Sequence, residues 1–324
     1  MDNLIPKNKK IFITGGAGYL GKKLIKRLYN FNEITVFSRD EAKHYELKSI
    51  YPNINFILGD IRDKDLLIRS SRGADIGIFA ASLKQISACD ENPEEAVKTI
   101  INGAINSKQA AIENNFEAAT FISTDKSRAA TTIYGSLKFA AGEQFILKNN
   151  YEKQSKTKLS SIIYGNVLNS TGSVIPMIWK AIKSNSEMIL FSKEMTRFLI
   201  EAEEALDLIF KGLIIDGASI IPKSKSCNIL DLFEIFHEKF NLKFKIGSPR
   251  VGEKLHEILA SKEELKRLTY SDCGTFFILR PYLENTISNE SKLFKEEEYS
   301  SKDCKITKKE LIELLEKCKF FEPI

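Results

Sequence analysis

Short runs rich in Val, Ile and Phe alternate with longer stretches of helical period through the first half of the chain. Residues 10–14, 34–37, 54–58, 75–80, 119–123 and 159–164 carry the apolar runs and predict strands. Between them, 18–29, 63–72, 93–114 and 134–149 predict helices. Strands separated by helices lie side by side only through right-handed crossovers, so the pattern predicts a doubly wound parallel sheet covered on both faces. Past Gly165 the alternation weakens. Gly172, Ser173 and Pro176 mark a loop, followed by helices over 177–184, 202–212, 229–240 and 308–317. This half predicts a smaller α/β lobe, interleaved with the sheet.

The length of 324 residues fits that division. Residues 1–165, with part of 198–225 returning, are expected to form the sheet domain, and 166–324 mainly the second lobe and a C-terminal helix. A chain 43% hydrophobic and 28% charged buries a substantial core. The net charge of +5 is too small and too dispersed to point to nucleic acid, yet a few placed cations suffice to hold a diphosphate. Cys89, Cys227, Cys273, Cys304 and Cys318 form no CxxC pair, which points to free thiols in a reducing, cytoplasmic setting. No run of ~18 apolar residues predicts a membrane span, and no apolar leader is expected. Three histidines without ligand spacing give no basis for a metal.

Directly after the first strand stands Thr14-Gly15-Gly16-Ala17-Gly18-Tyr19-Leu20-Gly21, a Gly-x-x-Gly-x-x-Gly turn opening a helix. Glycine there permits positive φ and close approach of backbone N–H groups to a pyrophosphate, and the helix N-terminus adds partial positive charge. This context predicts dinucleotide binding. The second strand ends in Ser38-Arg39-Asp40: Ser38 and Arg39 fit the 2′-phosphate of NADP, while Asp40 leaves NAD open. Asp60-Ile61 is placed to meet the adenine, or Asp60 caps the helix beginning near Asp63.

Past the fifth strand come Ser123-Thr124-Asp125-Lys126 and then Tyr134-Gly135-Ser136-Leu137-Lys138. Tyr134 and Lys138 share a helix face, where an ammonium lowers a phenol's pKa into a range useful for proton transfer. Downstream of the glycine turn, Tyr-x-x-x-Lys is the signature of the short-chain dehydrogenase/reductase superfamily. Asp125-Lys126 fits a surface ion pair or a cap in isolation, but its place between the fifth strand and the Tyr134 helix favours an active site.

The resemblance narrows further. Gly59-Asp60-Ile61-Arg62-Asp63, Ala80-Ala81-Ser82-Leu83-Lys84-Gln85, Ser123-Thr124-Asp125-Lys126, Tyr164-Gly165-Asn166-Val167, Gly172-Ser173-Val174-Ile175-Pro176, Met195-Thr196-Arg197-Phe198 and Gly252-Glu253-Lys254-Leu255-His256-Glu257 resemble the UDP-N-acetylglucosamine 4,6-dehydratases of bacterial polysaccharide and glycan biosynthesis. The likeness runs from about residue 8 to about 260, and Glu298-Tyr299-Ser300-Ser301 is similar to their soluble members. It implies an extended Rossmann fold, an NADP-dependent hydro-lyase, a UDP-sugar substrate and a homo-oligomer, dimer or hexamer.

It also implies roles. Sugar C4 is oxidised, the ketone acidifies the C5 proton, a base removes that proton while an acid helps the C6 hydroxyl leave, and the hydride returns to C6. Tyr134 with Lys138 would deprotonate the C4 hydroxyl, Lys126 act at C5, Asp125 at C6, and Thr124 orient the sugar. Gly15, Gly18, Tyr19, Leu20, Gly21, Ser38, Arg39, Asp60, Ile61, Ala80 and Ala81 would hold the cofactor with Tyr134 and Lys138. Asn166, Arg197 and Arg250 would grip the pyrophosphate, Glu253 the ribose, Lys84 the sugar, and Val174 the nucleotide. Long membrane-anchored relatives that retain C5 configuration carry Met where Tyr134 stands, so Tyr134 implies C5 inversion.

The chain departs from that pattern at Phe79 (usually His), Ile100 (Asn), Ala130 (Pro), Ile163 (Arg), Asn169 (Gly) and Thr171 (Arg). These leave the exact sugar and nucleotide open. A nucleotide-sugar 4-epimerase or C4 reductase is the alternative enzyme, with no need of Asp125-Lys126. A decayed cofactor-binding protein is the alternative of another class, though Thr124, Asp125, Lys126, Tyr134 and Lys138 are all present.

Overall fold

The structure, a computed structural model, describes residues 4–248, 252–282 and 297–322. Its first half runs β1 (Lys10–Thr14), α1 (Tyr19–Leu28), β2 (Glu33–Ser38), α2 (Glu41–Ile50), β3 (Asn55–Leu58), α3 (Lys64–Ser70), β4 (Ile76–Phe79), α4 (Ile86–Glu91), α5 (Pro93–Val97), α6 (Gly103–Glu113), β5 (Ala118–Ile122), α7 (Ile133–Ile146) and β6 (Lys158–Ile162). The second half continues β7 (Asn166–Val167), α8 (Val174–Lys183), β8 (Met188–Leu190), β9 (Thr196–Ile200), α9 (Ala202–Gly212), β10 (Ala218–Pro222), β11 (Lys225–Asn228), α10 (Ile229–Phe240) and β12 (Phe244–Ile246). It closes with β13 (Ile258–Ala260), α11 (Lys262–Leu265), β14 (Leu268–Tyr270), β15 (Phe276–Leu279), β16 (Tyr299–Ser300) and α12 (Lys308–Lys317).

Among the described residues the main sheet has nine strands in the order β3-β2-β1-β4-β5-β6-β10-β15-β14. Pairing is parallel from β3 to β10, and the antiparallel β15 and β14 finish the far edge. The doubly wound sheet is therefore observed, with its order reversing between β1 and β4, where such sheets place ligands. Strand alternation divides the core. Ile11 and Ile13 of β1 face one layer with Leu24, Ile25 and Leu206, while Phe12 faces the other with Phe37, Phe79 and Phe145. Each such fully buried side chain contributes roughly 1.5–3 kcal/mol relative to exposure.

The second lobe carries the small sheets β11-β9-β7, β8-β12 and β13-β16. Trp179, Phe233, Phe236, Leu311 and Leu315 build its own core. It is interleaved because the chain re-enters the main sheet at β10, beside β6, before returning to the lobe.

Three local expectations are corrected. Helix α2 was not anticipated, because only His44 and Leu47 are buried along it and the apolar stripe is too thin to read; the available signal was Asp40, whose carboxylate caps it by accepting from the Lys43 N–H at 3.0 Å. The single helix expected over 93–114 is broken by a π-helical turn, Lys98–Asn102. Helix α8 begins at Val174, before Pro176, since proline is tolerated in a helix's first turn.

Candidate active site

A continuous cleft of about 1260 Å³ lies along the carboxyl ends of the strands and under the second lobe. All the cofactor residues singled out above line it. At one end the wall is mostly backbone. Gly15 adopts φ +70°, and a Cβ there would stand 2.9 Å from the Ala81 backbone; one on Gly21 would stand 2.3 Å from the Gly16 carbonyl. Gly18 is the N-cap of helix α1 and supplies no side-chain cap, so the first turn presents N–H groups free for an anion. This cradle fits a dinucleotide pyrophosphate.

At the end of β2, Ser38 Oγ lies 2.7 Å from His44 Nε2. Asp40 is committed to Lys43 and the α2 cap, which with the Lys43 ammonium holds its carboxyl below the usual range. Arg39 stays 58% exposed, 3.6 Å from Asp60. Asp60 binds the Arg62 guanidinium at 2.7 and 2.9 Å and does not cap α3, where Asp63 accepts from the Leu66 N–H.

The other end is built from charge. A 3₁₀ turn, Asp125–Ser127, follows β5, with the Asp125 N–H donating to the Tyr164 carbonyl at 3.0 Å. Helix α7 abuts this turn because Gly135 has no Cβ, which would fall 2.3 Å from the Lys126 carbonyl. Asp125 Oδ1 accepts from Lys126 Nζ at 3.0 Å and from the Thr124 hydroxyl at 3.1 Å. Lys126 also donates to Asn166 Oδ1 at 3.2 Å and stands 3.5 Å from Glu257 Oε1. Asp125 is fully enclosed, while the Lys126 side chain is 26% exposed at the cleft wall.

Burial dominates the electrostatics. It raises the Asp125 carboxyl, and Glu257 adds to the rise against the opposing Lys126 charge. Burial alone would depress Lys126, yet Asp125 and Glu257 more than reverse it and hold the ammonium above the ordinary lysine value. Tyr134 is pushed up to about 12 by burial, with Lys126 and a Thr124 hydrogen bond pulling the other way. Burial brings Lys138 down to about 7. Lys138 Nζ donates to the Ile122 carbonyl at 2.8 Å and lies 4.5 Å from the Phe121 ring centre, while Lys126 is the leading cation acting on the Tyr134 phenol.

The expected substrate residues fall in several settings. Lys84 donates to the Thr171 carbonyl at 2.5 Å, and Val174 lines the cleft at the first turn of α8. Asn166 is turned to Lys126. Arg197 is buried and satisfied by Glu253 and by the Thr196 (2.7 Å), Lys254 (3.0 Å) and Leu255 (3.3 Å) carbonyls, so in this state both it and Glu253 are engaged with each other. Arg250 lies outside the described residues. His256 packs against the Thr196 hydroxyl at 2.8 Å. Asn169 takes the positive φ of 60° that its glycine counterpart would favour, a conformation asparagine tolerates.

Sequence reasoning assigned no role to Glu257 or Thr99. Glu257 lies within the quoted 252–257 segment, where an acid just before the buried strand β13 was the available signal. Thr99, on the π-helical turn, lines the cleft, and no local pattern announced it.

Residues 11–278 match the family described as polysaccharide biosynthesis protein. The chain is 36% identical over 284 residues to the UDP-N-acetylglucosamine 4,6-dehydratase (inverting) of Campylobacter jejuni subsp. jejuni serotype O:2, covering 85% of this chain and 84% of that protein. It is 35% identical to an uncharacterized membrane protein of Methanocaldococcus jannaschii, over 94% of each chain, and 32% identical to the UDP-glucose 4-epimerase of Rickettsia bellii, over 95% of each. Among solved structures, Pen from Bacillus thuringiensis superposes with a TM-score of 0.87 at 28% identity, covering 97% of this chain and 99% of that one. Among the described residues no helix is long and apolar enough to cross a membrane.

Proposed function

The chain belongs to the polysaccharide biosynthesis protein family of extended short-chain dehydrogenases/reductases, and from that membership we propose that it is a nucleotide-sugar 4,6-dehydratase. Its substrate is UDP-N-acetylglucosamine and its product, with inversion at C5, UDP-2-acetamido-2,6-dideoxy-β-L-arabino-hexos-4-ulose. The observation that carries this reading is the Asp125–Lys126 pair at 3.0 Å beside Tyr134, an acid–base pair that simple C4 oxidation does not require.

A nicotinamide dinucleotide held by its pyrophosphate at the glycine cradle would supply the hydride acceptor and donor. Tyr134 takes the C4 hydroxyl proton, with Lys126 and Thr124 opposing the burial that raises its phenol, while Lys138 fixes the floor of the site through the Ile122 carbonyl. A proton passing from Lys126 Nζ to Asp125 across their hydrogen bond breaks one N–H bond and forms one O–H bond. That single transfer yields the free amine needed at C5 and the carboxylic acid needed at C6. Enclosure of Asp125 favours its protonated form.

We assign the cofactor as NADP, since Asp40, the first acid after β2, is occupied as a cap while Arg39 stays exposed at the same strand end, where it suits a 2′-phosphate. The relatives named as epimerases support a second reading, 4-epimerisation, and one experiment separates the two. Purified protein incubated with NADP and UDP-N-acetylglucosamine is followed by NMR. A 4-keto-6-deoxy sugar with inverted C5 is expected; the galacto epimer as sole product would falsify the dehydratase reading.

A further inference from the structure

Glu257 is a buried acid to which the reaction, as read above, gives no part. Its main chain is clamped on both sides by Ser301: the Glu257 N–H donates to Ser301 Oγ at 2.9 Å, and the Ser301 N–H donates to the Glu257 carbonyl at 2.8 Å. Ser301 is itself tied to Thr196 Oγ1 at 2.7 Å. The side chain thus leaves a rigid frame and enters the cleft, 5% exposed. Oε1 lies 3.5 Å from Lys126 Nζ and 3.7 Å from Arg197 Nε, and Oε2 lies 3.9 Å from Lys254 Nζ with no hydrogen-bond partner.

A buried carboxylate with one oxygen unbonded is costly unless it serves something. Neutralising Arg197 is not that service, because Arg197 already pairs with Glu253. Lys126 is different: its ammonium faces two carboxylates, Asp125 on its own turn and Glu257 from the second lobe. The other polar and charged groups acting on it are Asn166, Arg197, Lys254 and Tyr134. One carboxylate is enough for an acid–base pair; a second on the same ammonium acts on its proton affinity.

We propose that Glu257 is a positioning residue for Lys126, holding its ammonium at the cleft wall and delaying its conversion to the free amine. The inference rests on reading Lys126 as the C5 base, and it makes the second lobe, through Ser301 and Glu257, part of the acid–base machinery. Lys126 first, then Arg197 and Lys254, keep Glu257 ionised against its burial.

The test compares Glu257→Gln with Glu257→Asp, using competitive acetylation of Lys126 followed by mass spectrometry of its peptide, which requires no turnover. An opposite charge at this range shifts a pKa by about one unit or more, so at a fixed pH of about 9 Lys126 should acetylate roughly tenfold faster in Glu257→Gln than in the wild type. Glu257→Asp should stay near wild type, and the alkaline-side fall of kcat/KM for dehydration, where the Asp125–Lys126 pair loses its shared proton, should move to lower pH only in Glu257→Gln. An unchanged acetylation rate in a folded Glu257→Gln variant, whatever its activity, overturns the proposal. If Glu257→Gln does not fold, Ser301→Ala carries the same test with a smaller change in the same direction. A wild-type protein that dehydrates nothing overturns the dehydratase reading alone, because the acetylation rates still decide on Glu257.

Discussion

The two ends of the cleft are made of different material. The cofactor end is backbone: a left-handed Gly15, an uncapped α1 and the Ala80-Ala81 main chain, all following strands adjacent in the sheet. The acid–base end is side chains: Asp125, Lys126, Asn166, Arg197, Glu253 and Glu257, brought together from segments up to 132 residues apart and largely buried. Backbone sites bind by shape and dipole and tolerate exchange of most side chains around them. Side-chain sites hold charge out of water and depend on every partner. The difference implies that binding and dehydration can be broken separately.

The largest separation should come from Asp125→Asn. Loss of a general acid lowers dehydration by about 10³-fold, while NADP affinity, measured by fluorescence titration, stays unchanged; dehydration within tenfold of wild type removes Asp125 from the reaction. The converse change is Gly15→Val, which places a branched side chain at φ +70° against the Ala81 backbone. It should weaken NADP by about 100-fold, roughly 3 kcal/mol, and a variant that keeps its cofactor affinity breaks the comparison at this end.

Lys138 tests the boundary between the two ends. Its folded pKa of about 7 lies below the ordinary 10.5, so between those values the unfolded chain binds the extra proton and stability rises with pH. The cost is fully present below about 7 and is relieved as pH approaches 10.5. Thermal melts should therefore show Lys138→Met more stable than wild type at about pH 6, the gap closing toward about pH 10, with activity lost throughout. A pH-independent gap contradicts a buried, poorly protonated amine. The smallest effect is Arg39→Ala, which should weaken NADP by about tenfold and leave NAD within about twofold; equal losses for both cofactors dissociate Arg39 from the 2′-phosphate.

What can be read along the chain follows the same contrast. The glycine turn and the strand–helix alternation are legible because their physics is local: φ, periodicity and helix starts are set by residues within one βαβ unit. Tyr134, Lys138, Asp125 and Lys126 are legible as motifs for the same reason, being within 14 residues of one another. Their environment is not. That Lys138 turns to the Ile122 carbonyl, that Asn166 faces Lys126, and that Glu257 completes the charge cluster all depend on how β7, β9 and the segment before β13 pack over the cleft. Helix α2 escaped notice for a related reason, since it buries too little apolar surface to leave a period.

The central claim is that, within the acid–base end, dehydration belongs to Asp125 and Lys126 and C4 oxidation to Tyr134. Lys126→Met, mixed with NADP and UDP-N-acetylglucosamine in D2O, tests it in one sample read by NMR and by the absorbance of reduced nicotinamide. We predict reduction of the cofactor without deuterium at C5 and without a 6-deoxy product, where the wild type forms the 6-deoxy sugar with deuterium at C5. A 6-deoxy product carrying C5 deuterium, formed by Lys126→Met at the wild-type rate, would contradict the account.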